Sequence, residues 1–232
     1  MNVQRLDPRL ALCASLIRPG SRVADIGTDH GYLPAYLVGS GVCPQAVATD
    51  LRPGPLSRAA ETVAQAGLAG RIALRLGDGL SPIRPEEIDD VVIAGMGGET
   101  IAAILAAAPW RHNPRYRLIL QPMSRPEALR AFLFEDGFAA QAERVAQEGK
   151  RLYTVLLAAY APEEAAAQAK RPAAAQIGSI DPADPPGRAY LLRQAERMAA
   201  AASALRRAGD AGRAGELEQT ARSIRRYTRD LP

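Results

Sequence analysis

Cysteine, histidine and lysine are nearly missing from this chain, with two of each among 232 residues. Cys13 and Cys43 have no C-x-x-C spacing and two histidines add few ligands, so no metal site is expected. Such cysteine usage suits a reducing cytoplasm. No apolar run approaches the ~18 residues that span a bilayer, and the opening Met-Asn-Val-Gln-Arg-Leu-Asp-Pro lacks the apolar core of a signal peptide. A soluble cytoplasmic protein with no membrane partner is the expectation. The scarcity of lysine, confined to Lys150 and Lys170, excludes no function. With 47% hydrophobic and 23% charged residues, wholesale disorder is excluded. Also missing is a GxGxxG loop, the usual cradle for a dinucleotide pyrophosphate.

What is present is enough chain for one sizeable domain and a small appendage. The net charge of +4 is unevenly spread: residues 1–160 carry a net +1, whereas 187–232 carry ten arginines against five acids. An arginine excess there is compatible with nucleic acid and equally with solvated helices. From residue 20 to 160, apolar runs alternate with helical patterns, the rhythm of a parallel sheet with crossover helices. The runs are Arg22 to Ile26, Ala46 to Thr49, Arg71 to Leu76, Asp90 to Ala94 and Arg117 to Gln121. Phe138 to Glu143 and Arg151 to Tyr160 flank Glu148-Gly149-Lys150 as an antiparallel hairpin. The fold expected is therefore α/β, with a seven-stranded, mostly parallel sheet whose last strand is antiparallel. Residues 161–186 read as a linker, an Ala/Glu/Gln stretch that passes into Pro172, Pro182, Pro185 and Pro186 as a helix end followed by a connector. Beyond it, Leu191, Ala195, Met198, Ala202 and Leu205, then Leu217, Ala221 and Ile224, mark a coiled-coil-like C-terminal helical hairpin over 187–232.

Open parallel sheets bind ligands at the carboxyl ends of their strands. Five such ends carry unusual residues. The first, Val23-Ala-Asp-Ile-Gly-Thr-Asp-His-Gly31, places Asp25, Gly27, Asp29 and Gly31 where a strand turns into a helix. An acid at position 29 would repel a pyrophosphate but favours the sulfonium, ammonium and ribose hydroxyls of S-adenosylmethionine. Asp50 and Leu51 follow the second strand, at the spacing of a ribose-binding carboxylate. Asp78 and Gly79 follow the third, where a carboxylate can accept from an adenine amine. Gly95, Met96, Gly97 and Gly98 follow the fourth, with glycines for close backbone approach and Met96 for adaptable apolar contact.

These stretches, with Asp25-Ile-Gly-Thr-Asp-His-Gly-Tyr-Leu-Pro34, Gly54-Pro55-Leu56, Arg75-Leu-Gly-Asp-Gly-Leu80, Ile93-Ala-Gly-Met-Gly-Gly98 and Leu118-Ile-Leu-Gln-Pro122, resemble the bacterial tRNA (adenine(22)-N(1))-methyltransferase family. The D-x-G-x-D-x-G loop is similar to the class I methyltransferase motif, with Asp29 in place of its middle glycine. The resemblance implies a Rossmann-like SAM-binding domain over 1–160, with S-adenosyl-L-methionine along Gly27, Asp29, Asp50, Asp78 and Gly95. It implies tRNA as partner, with the target base beside Gly95 to Gly98 and the helical tail helping to hold the RNA. Met123 stands where the family usually has the asparagine of Gln-Pro-Asn.

Two roles are open to Asp29: stabilising and deprotonating the methylated base, or holding the methionine ammonium. His30 is either a general base or a backbone-bonding loop residue. Tyr32 and Met96 are candidates for covering a flipped base, and Tyr32 also suits a helix core. Arg125 and Arg130 are candidate phosphate contacts or solvated helix residues. Three alternatives accompany the tRNA reading: another methyl acceptor, a nicotinamide oxidoreductase, or a non-catalytic RNA-binding relative. Asp29 and the missing GxGxxG disfavour the second, and the missing Asn-Pro-Pro-Tyr disfavours an exocyclic-amine acceptor. The sequence leaves the oligomeric state open, a monomer included.

Overall fold

The computed structural model describes residues 5–229, so the first four residues of the range 1–160 and the last three of 187–232 lie outside the described residues. One sheet holds β1 (Val23–Ile26), β2 (Ala46–Asp50), β3 (Ile72–Leu76), β4 (Asp90–Gly97), β5 (Arg117–Ser124), β6 (Phe138–Glu148) and β7 (Arg151–Tyr160). Their spatial order is β3-β2-β1-β4-β5-β7-β6, with β1 to β5 parallel and β7 antiparallel between β5 and β6. The antiparallel last strand follows the sequence expectation.

β1 and β2 are buried at every residue, as expected for strands covered on both faces. Alternation along β4 divides the core: Val91 and Ile93 join Ile26, Leu118 and Leu120, whereas Val92 joins Leu33, Leu37 and Ile119. Each such buried aliphatic side chain contributes about 1.5–3 kcal/mol. Helix α1 (Pro8–Ser15) starts at Asp7, whose carboxylate accepts the Leu10 N–H at 2.7 Å, and lies across β5, β6 and β7. The crossovers are α2 (Tyr32–Gly39), α3 (Pro53–Gln65), α4 (Gly98–Ala106) and α5 (Pro126–Glu135).

Three strands outrun their sequence signals. β4 continues past Ala94 to Gly97 because Met96 still pairs with Pro122 and Gly97 with Ser124, through irregularities on either side of Met96. Glycine there signals bulges within a paired strand, and β5 is drawn out to Ser124 with it. β6 runs on from Glu143 to Glu148, zipped to β7 as far as Glu148↔Arg151.

Residues 161–186 differ from the expected linker. The Ala/Glu/Gln stretch is helical as expected, forming α6 (Pro162–Ala169), but the segment also contains α7 (Ala174–Ile177) and packs on β6. Gln168 explains part of this: its side chain accepts from Ala140 N–H at 2.9 Å and donates to Ala140 C=O at 3.1 Å, beside a register shift in β6. It thereby satisfies an edge strand that would otherwise face water. The hairpin of α8 (Pro185–Arg207) and α9 (Ala211–Arg229) follows. Leu191, Ala195, Ala202, Ala221 and Ile224 form its buried seam, and Val145, Ile177 and Ile180 bind that seam to β6. Among the described residues no helix is long and apolar enough to cross a membrane.

Candidate active site

A cavity of about 620 Å³ opens at the carboxyl ends of the parallel strands, where the order departs from β1 to β2 on one side and β4 on the other. That is the binding crevice such sheets create, and the volume suits a small ligand. The β1 loop forms its floor. Asp25 is 5% exposed and accepts the Thr28 hydroxyl at 2.6 Å. Burial raises its pKa to about 6, against the opposing Thr28 bond and with Asp50 adding to the rise. Gly27 has φ +72°, and a Cβ there would overlap the Met96 methyl. Asp29 adopts the left-handed backbone at φ +51°, which aspartate tolerates better than most side chains. Its N–H donates to Asp50 Oδ2 at 3.2 Å, and its carboxylate accepts from Arg58 Nη2 at 2.9 Å.

The β2 end supplies Asp50, 7% exposed, whose second oxygen accepts the Arg52 N–H at 2.9 Å. Two backbone donors thus hold the carboxylate while about two of its acceptor positions remain for a diol. Leu51 beside it is 63% exposed on the cavity wall, an apolar surface suited to an aromatic ring. Asp78 and Gly79 line the same end from beyond β3, and Gly95 and Met96 line the opposite end from β4. His30 and Tyr32 stand at the wall with rings stacked 5.1 Å apart and 10° from parallel. Tyr32 is half-buried at the start of α2, and His30 Nε2 lies 3.6 Å from Asp29 Oδ2. Met123 lines the cavity at 42% exposure.

Five expected site residues lie off the cavity, and Gly31, Gly98 and Arg130 among them have structural work instead. Gly31 does not line the cavity; a Cβ there would press on Ala59 at 3.1 Å, so it lets α2 approach α3. Gly98 is buried, and a Cβ would overlap the Arg125 carbonyl, so neither it nor Gly97 reaches the cavity. Arg125 is exposed and paired with Glu99 at 3.3 Å and Glu127 at 2.9 Å. Arg130 is the clear correction: it is 1% exposed and ion-paired with buried Glu143 at 2.6 Å, so no phosphate can reach it. His112 lies away from the cavity against Asp136 and Tyr160.

The structure also adds wall residues that sequence reading missed: Asp7, Arg9 and Leu10 from the α1 region, and Thr100 and Ile104 from α4. Arg9 Nη1 donates to Gln121 Oε1 at 2.7 Å, and that oxygen also accepts Gly95 N–H at 3.0 Å. Asp7-Pro8 marks the start of α1 in the sequence, but nothing local places that helix over β5.

The methyltransferase-domain family matches residues 6–156. A Bacillus subtilis protein named tRNA (adenine(22)-N(1))-methyltransferase is 39% identical over 166 residues, which cover 72% of this chain and 70% of that one. The crystal structure of the B. subtilis M1A22 tRNA methyltransferase TrmK superposes with a TM-score of 0.86 at 29% identity, covering 97% of this chain and 99% of that one. A Streptococcus pneumoniae protein, described as a candidate tRNA (m1A22) methyltransferase in complex with S-adenosyl-L-methionine, gives 0.82 at 28% identity over 97% of this chain and all of that one. With the carboxylate-lined crevice, these likenesses mean that this chain belongs to the methyltransferase-domain family and, within it, to the tRNA (adenine(22)-N(1))-methyltransferases.

Proposed function

We propose that this protein transfers the methyl group of S-adenosyl-L-methionine to N1 of adenine 22 in tRNA, in the cytoplasm. The observation that carries the reading is the order of groups along the cavity: Asp78, Asp50 with Leu51, Asp25 with Gly27, then Gly95. An adenine amine, a ribose diol, a sulfonium and an amino-acid chain occur in that same sequence on the cofactor. The cofactor supplies an electrophilic methyl on a sulfonium. The chain's residues align it with the base, exclude water and face the charge that develops. Adenine N1 attacks with its own lone pair as the carbon–sulfur bond breaks, so no prior deprotonation is needed. The product base is cationic, and Asp29 at the cavity wall is placed to stabilise it and accept an amine proton.

Incubation of an unmodified tRNA transcript with the protein and methyl-labelled cofactor should give labelled 1-methyladenosine on nucleoside mass spectrometry. Label in 6-methyladenosine would move the acceptor atom, and unlabelled RNA would end the reading.

Asp25 gives the reading a pH signature. Its folded pKa of about 6 lies above the unfolded value of ~3.9, so the folded protein keeps that proton as pH rises through this window. Its contribution to stability is greatest below pH 4 and is lost by pH 6. A cationic ligand favours the ionised form, so S-adenosylmethionine affinity should rise roughly 3- to 10-fold from pH 5 to pH 7. Titration calorimetry on the D25N protein should give a flat profile; an unchanged slope would place the effect elsewhere.

The exposed arginines of α8 and α9 are the second arm of the reading. Deleting 187–229 would strip the cover from Val145, Ile177 and Ile180, so charge reversal is the cleaner probe. The R197E/R222E protein should bind tRNA at least tenfold more weakly at low salt with a shallower salt slope, and bind cofactor as before. Unaltered tRNA affinity would make the hairpin purely structural.

A further inference from the structure

We infer that Arg58 is a phosphate-binding residue at the cavity mouth, passed from Asp29 to the tRNA backbone as the target base enters, an inference that rests on the proposed function. Asp29 Oδ1 accepts from Arg58 Nη2 at 2.9 Å, and Oδ2 lies 3.6 Å from His30 Nε2. Before RNA arrives, the carboxylate placed to face a cationic base thus already holds a cation. A guanidinium kept there would weaken the pull of Asp29 on the base and repel the charge that develops, so the closed pair opposes methyl transfer.

Helix α3 puts Arg58 in this position. Pro55, Ala59 and Val63 are its buried residues, and a Cβ on Gly31 would stand 3.1 Å from the Ala59 Cβ. That close approach pins α3 to the β1 loop and sets Arg58, one residue before Ala59, against Asp29. Asp29 and His30 line the cavity, whereas Arg58 stands outside it. A flipped base goes in and leaves its phosphates at the mouth, where the cavity carboxylates of Asp7, Asp25, Asp29, Asp50 and Asp78 repel them. A cation at the rim offsets that repulsion. Arg52 lines the cavity at the start of the same helix, and Arg125 beyond β5 is held by both Glu99 and Glu127. Arg58 has a single acid partner among the described residues, and it is the acid that faces the base.

The pair parts at little cost. Its side chains are 47% and 56% exposed, so water screens the attraction. Only Nη2 of the guanidinium is engaged, and a phosphate can take the planar fork through two parallel bonds. The β1 loop does not depend on Arg58, because the Asp29 N–H donates to Asp50 at 3.2 Å.

The test is a double-mutant cycle on the full chain, reading the affinity for an unmodified tRNA transcript in the presence of S-adenosylhomocysteine. R58Q should bind the transcript roughly 3- to 10-fold more weakly, with a salt slope shallower by about one, and R58K should recover part of the loss. D29N releases Arg58 without removing it, so it should bind about threefold more tightly than wild type. The D29N/R58Q protein should bind as R58Q does, because the gain passes through Arg58. At saturating tRNA, single-turnover methylation by R58Q should stay within about threefold of wild type. A gain from D29N that is the same with and without Arg58 would overturn the exchange and leave general repulsion between Asp29 and RNA. So would unchanged tRNA affinity in R58Q with slowed single turnover, which would make Arg58 a clamp on Asp29. Wild-type protein that binds the transcript and never methylates it would remove the proposed function and the exchange together, a different result from both of these.

Discussion

Replacing Arg130 by alanine should lower the unfolding free energy by about 3–5 kcal/mol and the melting temperature by roughly 6–20 °C, read by calorimetry or circular dichroism. Arg130 on α5 donates to Glu143 of β6 through Nη2 at 2.6 Å and Nε at 3.0 Å, and to the Ala175 carbonyl of α7 through Nη1 at 2.7 Å. Glu143 also accepts the Ser179 N–H at 3.0 Å. Burial opposes the Arg130 charge, but Glu143 overrides it and holds the guanidinium pKa above its usual value. A Cβ at Gly178, whose φ is +65°, would collide with this pair, so the glycine belongs to the same joint. Alanine at 130 would leave Glu143 charged, buried and unpartnered, and that penalty sets the size of the effect. The R130M/E143L protein should recover most of the loss, because it removes both charges and refills the volume. A surface arginine reading RNA phosphates would behave in the opposite way: R130A would melt normally and lose tRNA affinity with a reduced salt slope.

The contrast between Arg130 and Asp50 shows what a sequence carries. The place of Asp50 on the cavity wall is legible because neighbours along the chain set it: a buried strand ends at Asp50 and its carboxylate receives the N–H of Arg52 two residues on. The same holds for Asp25, Asp29 and Asp78, each within a few residues of a strand end. The partners that fix Arg130 sit 13 and 45 residues away on other elements, and an arginine on an amphipathic helix carries no local mark of them. Arg9 was missed for the same reason, since its Gln121 partner lies 112 positions on. Residues 161–186 misled in another way. Pro172 and Pro182 suggest a connector, yet Ala165, Ile177 and Ile180 are buried against β6, and tertiary burial outweighs local turn chemistry. Glycines 95 to 98 look in the sequence like one ligand loop; β4 pairing instead gives Gly95 to the cavity and Gly98 to the α4 junction.

Changing Asp29 to asparagine should lower kcat by about 10²- to 10⁴-fold while leaving the Kd for S-adenosylhomocysteine within about threefold. The substitution is chosen to alter charge alone. Asparagine accepts the left-handed backbone that position 29 adopts at φ +51°, and the N–H that donates to Asp50 at 3.2 Å is retained. The two carboxylates of the β1 loop have opposite settings. Asp25 is 5% exposed in the floor, whereas the Asp29 side chain is 56% exposed, with Arg58 at 2.9 Å and His30 Nε2 at 3.6 Å. A group in the floor faces the cofactor in every state of the reaction, so losing it weakens binding. In the proposed reading a group at the open rim faces the base, whose positive charge and acidic amine exist only as N1 takes the methyl. Interactions made only then appear in kcat and kcat/KM together. Single-turnover methylation of a tRNA transcript, beside calorimetry with S-adenosylhomocysteine, separates the two. A Kd that rises a hundredfold with kcat unchanged would make Asp29 the partner of the methionine ammonium and leave the developing charge on the base to another residue.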